Sequence, residues 1–133
     1  MTISGGPNIK TSGEWLIASG IYYDGDPYSQ NRDVGVVLLY RYNGKKYEFI
    51  KKFSSETIKD LDADGNPDFS NYNTYFGDYI ALDLDINNEP VIITSASRQE
   101  HSSPNTEGYI YVFKKNPYSD EWIYEKHNSF TGW

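Results

Sequence analysis

Cysteine is missing from this 133-residue chain. Neither a disulfide framework nor a thiolate metal site is therefore available, and cysteine usage says nothing about redox compartment. Basic residues are also few: 12 Lys and Arg stand against 19 Asp and Glu, a formal charge of -7. That balance opposes phosphate backbones and anionic lipid headgroups, so nucleic acid is not an expected partner. The pairs Lys45-Lys46, Lys51-Lys52 and Lys114-Lys115 are too short to form a basic stripe and read as solvated strand ends. No apolar run approaches the roughly 20 residues of a membrane helix, so membrane insertion is not expected. Met1 to Lys10 carries neither a basic n-region nor an apolar h-region, which argues against a Sec-type signal peptide, and no Asn-x-Ser/Thr sequon occurs.

Helical periodicity is nearly absent too. What the chain has instead is short runs of Ile, Val, Tyr, Phe and Trp separated by clusters of Gly, Pro, Asn, Asp and Ser, the signature of an all-β domain. Strands are predicted over 14–19, 34–42, 46–53, 79–84, 91–95, 108–114 and 121–126, and only 55–61 has room for a helical turn. Asn43-Gly44 between two strand runs predicts a hairpin with a type I′ turn. A second hairpin is predicted around Asn116-Pro117-Tyr118-Ser119-Asp120. The length suits one domain spanning 1–133.

A shift of about 75 residues superposes the two halves in the manner of a tandem repeat. It sets Trp15-Leu16-Ile17-Ala18-Ser19 against Val91-Ile92-Ile93-Thr94-Ser95, and Gly35-Val36-Val37-Leu38-Leu39-Tyr40 against Gly108-Tyr109-Ile110-Tyr111-Val112-Phe113. Tyr47 falls near Trp122. Each unit then reads as an antiparallel meander, over 13–54 and 76–127, with the acidic segment 55–75 between them. A single meander cannot bury both its faces, so such units stack, as the blades of a β-propeller do.

Phe76-Gly77-Asp78-Tyr79-Ile80-Ala81 resembles the opening strand of the FG-GAP repeat, the blade unit of integrin-type β-propellers. Asp83-Leu84-Asp85-Ile86-Asn87-Asn88-Glu89 sits where that family has its calcium loop, and 91–97 where it has the apolar strand ending in Gly-Ala-Pro, replaced here by Ser95-Ala96-Ser97. The resemblance covers the second unit whole and implies a first unit that lacks its innermost strand. It further implies a partial propeller, completed by self-assembly, for example three chains, or by packing on other proteins.

The sharpest site motif lies outside the slot that family uses. Asp60, Asp62, Asp64 and Asp68 occupy positions 1, 3, 5 and 9 of a loop with Gly65 at position 6. Hard oxygens at that spacing suit Ca2+, with the carbonyl of Asn66 as a further ligand. Position 12 is Asn71 rather than a bidentate Glu, so the loop is not an EF-hand. The competing reading is a solvated acidic turn. The loop at Asp83, Asp85 and Asn87 has apolar Val91 at its ninth position and reads as an ordinary turn.

For catalysis only His101 and His127 offer imidazole bases, neither beside a nucleophile motif. Asp24 and Asp26 mimic a glycosidase carboxylate pair only as closely as any acidic turn does. Thirteen Tyr and three Trp are many for this length. Strand aromatics read as core, whereas Tyr22, Tyr23, Tyr28, Tyr72 and Tyr75 fall in loops, where exposed rings contact glycans or proteins. The expectation is a non-catalytic, calcium-stabilised binding or assembly module, joined to copies of itself or to other proteins in an extracellular or virion-type structure. A lectin-like carbohydrate binder is the alternative.

Overall fold

A computed structural model describes residues 8–20, 35–54, 76–100 and 106–128, the side chains of 97–100, 106–108 and 128 excepted. These residues form β-strands joined by turns, with no helix among them. The strands are β1 (Ile9–Ser12), β2 (Trp15–Gly20), β3 (Val36–Tyr42), β4 (Tyr47–Phe53), β5 (Phe76–Leu84), β6 (Pro90–Glu100), β7 (Thr106–Lys115) and β8 (Trp122–Asn128). They make two four-stranded sheets in the orders β1-β2-β3-β4 and β5-β6-β7-β8, every pairing antiparallel. The protein is all-β, built of two meanders.

The strand at Ile9–Ser12 corrects the expectation that the first unit lacks its innermost strand. Its sequence, Ile-Lys-Thr-Ser, has no apolar alternation to announce it. Pairing supplies what the pattern does not: Ile9 lies opposite Ala18 and Thr11 opposite Leu16, so neighbour contacts rather than local propensity make it a strand. The hairpin at Asn43-Gly44 is present, but its turn is not type I′. Only Gly44 takes a positive φ, of 97°, and the connection runs over four residues, 43–46. Asn43 Oδ1 accepts the Lys45 and Lys46 amides at 2.9 and 3.0 Å, which closes this wider turn through a side chain.

The two sheets correspond rung by rung. In the first, Trp15 faces Arg41, Ile17 faces Leu39 and Ser19 faces Val37. In the second, Val91 faces Lys114, Ile93 faces Val112 and Ser95 faces Ile110. The alternate rungs match as well: Leu16 with Tyr40 and Ala18 with Leu38, against Ile92 with Phe113 and Thr94 with Tyr111. Because side chains alternate between faces, each sheet has a front, carrying the Trp15 or Val91 set, and a back, carrying the Leu16 or Ile92 set.

The core forms where the front of the first sheet meets the back of the second. Trp15, Ile17, Val37, Leu39 and Phe53 pack there against Phe76, Ile92, Tyr109, Tyr111 and Phe113. The Phe53 ring lies 4.7 Å from Phe113 and 5.1 Å from Trp122, centroid to centroid. At one end the backbones touch: Gly35 bridges in parallel to Phe76. A Cβ on Gly35 would collide with the Phe76 backbone, and one on Gly77 would meet Ser19 Cβ and the Val36 carbonyl at 2.9 Å. These two glycines, at φ 81° and 92°, are what allow the sheets to approach so closely.

Candidate functional site

Asp60, Asp62, Asp64, Asn66, Asp68, Tyr22, Tyr23, Tyr28, Tyr72, Tyr75 and His101 lie outside the described residues. The described residues that flank their segments converge. Gly20 pairs with Val36 beside Gly35, Gly35 bridges to Phe76, and Phe53 pairs with Val37 next to them. The connections 21–34 and 55–75 therefore depart from one end of the paired sheets, and the tight turns occupy the other.

At the turn end three of the four short connections, all but Gly13-Glu14, start with an Asn or Asp whose side-chain oxygen accepts the amide two residues on. Asn43 takes that of Lys45 at 2.9 Å, Asp85 that of Asn87 at 2.7 Å and Asn116 that of Tyr118 at 2.9 Å. Asp85 Oδ1 also accepts the Glu89 amide at 3.0 Å, while Asn88 takes a φ of 59°. The carboxylate is thus engaged as the organiser of a turn, the role expected of it. Among the described residues no group of three or more His, Asp or Glu side chains is arranged to hold a metal ion. His127 Nε2 lies 3.2 Å from Glu125 Oε2 on the exposed front of β8.

A groove at the first hairpin is lined by Glu14, Arg41, Tyr42, Asn43, Gly44 and Glu48. Arg41 donates to Glu14 Oε2 at 2.8 Å while its guanidinium sits 5.0 Å from the Trp15 ring centre. This combination fixes the cation against the edge of the core. Beside it Tyr42 and Tyr47 pair at 5.2 Å, 41 and 44 % exposed.

Among the described residues, the two sheet faces left outside the core carry exposed apolar side chains. On the front of the second sheet Ile93 and Ile123 are 43 and 42 % exposed, with Val91, Ile110 and Val112 half-buried among them. On the back of the first sheet Phe49 is 57 % exposed and packs edge-on against Tyr40 at 5.8 Å. Leu16 and Leu38 are half-buried beside it, whereas Ala18 and Val36, nearer the other end, are buried. Sequence reading assigned strand aromatics such as Tyr40 to the core. The signal that points outward is that both parities of β2 and β6 are apolar, which requires cover on both faces.

Comparisons with family models, with curated proteins and with solved structures found no match to this chain.

Proposed function

We propose that the protein is a non-catalytic binding or assembly module, joined through its sheet faces to a larger extracellular or virion-type structure. The observation that carries this is the pair of apolar faces at opposite ends of the two-sheet stack. Ile93 and Ile123 on one, and Phe49 on the other, keep 43, 42 and 57 % of their surface exposed. Apolar side chains clustered on an exposed sheet face mark interaction sites. The meander order supports reading each sheet as a propeller-blade-like unit related to the FG-GAP repeat, and the spacing of Asp60, Asp62, Asp64, Asn66 and Asp68 in the sequence supports Ca2+ as a stabiliser of the segment between the units. The test is the size of the protein in its native source, followed by antibody through size exclusion. A particle well above 15.3 kDa is expected, and a free 15.3 kDa chain overturns the reading.

A lectin-like role is the second reading, favoured by the exposed Tyr42–Tyr47 pair beside Glu14, Asn43 and Glu48. Rings flanked by carboxylate and amide groups stack on sugars while bonding their hydroxyls. A glycan array probed with calcium present separates the two. Binding that is lost in Tyr47→Ala supports the lectin, and an array with no binding removes it.

A further inference from the structure

The contact between the two sheets is not symmetric. Front meets back: Ile17 and Leu39 of the first unit press on a surface that includes Tyr111 and Phe113 of the second. Because the units correspond rung by rung, the same two kinds of surface recur at the free ends. The exposed front of the second sheet carries Ile93 and Val112 where the buried front of the first carries Ile17 and Leu39. The exposed back of the first carries Leu38 and Tyr40 where the buried back of the second carries Tyr111 and Phe113.

The chemistry of the matched positions agrees along the central strands, whereas on the outer strand the free front carries Glu125 and His127 where the buried front carries Lys51 and Phe53. Fronts are aliphatic at these central rungs, and backs are rich in rings. The cross-strand ring pair of the first hairpin, Tyr40 with Phe49, has its counterpart in Phe113 with Tyr124. Both pairs have centroids 5.8 Å apart. One is covered by a neighbouring sheet: Phe113 is 3 % exposed. Over the other no described strand lies, and Phe49 is 57 % exposed.

We infer that the neighbour over that ring pair is a second copy of this chain, docked head to tail so that the front of its second sheet covers the back of the first sheet here. The contact repeats between molecules the one already made within each molecule. This rests on the assembly reading above and names its partner. A front-to-back contact is heterologous, so copies add in one direction until the ring closes. With roughly 4–8 four-stranded units in a closed ring, closure takes about two to four chains.

The test uses the purified full chain and two variants at exposed positions, Ile93→Glu on the front and Phe49→Glu on the back, with circular dichroism and melting confirming that each folds. Light scattering behind size exclusion should give one discrete multiple of 15.3 kDa for the unaltered chain and a monomer for each variant alone. Each variant keeps one good face, and the two good faces are complementary. An equimolar mixture should therefore form a species of two chains and no larger. A monomeric unaltered chain at its highest soluble concentration, a variant that keeps the full mass, or a mixture that stays monomeric overturns the inference. The first of these outcomes leaves the assembly reading to be decided by the size of the protein in its native source, which copies of the chain alone do not determine.

Discussion

Thr94 is buried at 1 % exposure where the sheets meet, and its hydroxyl has no hydrogen-bond partner. An unmatched hydroxyl in such a place carries its full desolvation cost. Thr94→Val should therefore raise stability, by about 1 kcal/mol, read as a higher denaturant midpoint at unchanged slope. Gly35 is the opposite case. Its φ of 81° and the Phe76 backbone against its α-carbon leave no room for a side chain. Gly35→Ala should cost roughly 2–4 kcal/mol from strain and overpacking together, and equilibrium unfolding checks it. The sequence displays Gly35 and Gly77 but not their use, because the approach of β5 to the start of β3 is a contact between distant parts of the chain.

The strands themselves were largely legible. Seven of the eight stand close to their predicted positions, because runs such as Val36–Tyr42 and Tyr47–Phe53 are dense in β-branched and aromatic residues. The missed strand, Ile9–Ser12, is short and mostly polar, and its partner β2 holds it in place. Boundaries erred where backbone pairing outruns side-chain pattern: β6 continues to Glu100, past the last apolar residue of its run. Turn chemistry was legible as composition but not as geometry, since an Asn or Asp oxygen that bonds two amides replaces a tighter turn. Asp85 tests this point. Asp85→Ala removes both acceptor contacts, to Asn87 and Glu89, and should cost about 1–2 kcal/mol. Asp85→Asn keeps Oδ1 and should cost less than half of that in the same denaturant titration.

Over the molecule as a whole, the order of the two meanders could be read from the repeat, but which face meets which could not. Trp15–Gly20 and the first residues of β6 are apolar at both parities, so alternation assigns no side to the core. Only packing shows that the front of one sheet sits on the back of the other. The acidic loop at Asp60–Asp68 stays a proposal of chemistry. If Ca2+ binds there in the folded protein alone, calcium at about a hundredfold excess over its Kd should stabilise the fold by about 2.7 kcal/mol. EDTA should then lower the melting temperature, and the double variant Asp62→Asn, Asp64→Asn should no longer respond to either.

Head-to-tail docking predicts that the front of the second sheet is covered whenever the protein is concentrated, and the lack of any cysteine makes that directly readable. A single-cysteine variant, Ile93→Cys, reports on the face, which is 43 % exposed at that residue in one chain. Tyr118→Cys, at a turn residue that is 95 % exposed, serves as the reference. Their reaction rates with a thiol reagent are compared as the protein is diluted. Slow labelling at Ile93→Cys that rises on dilution toward the constant rate at Tyr118→Cys is the predicted result. A rate at Ile93→Cys that does not change with protein concentration would contradict it.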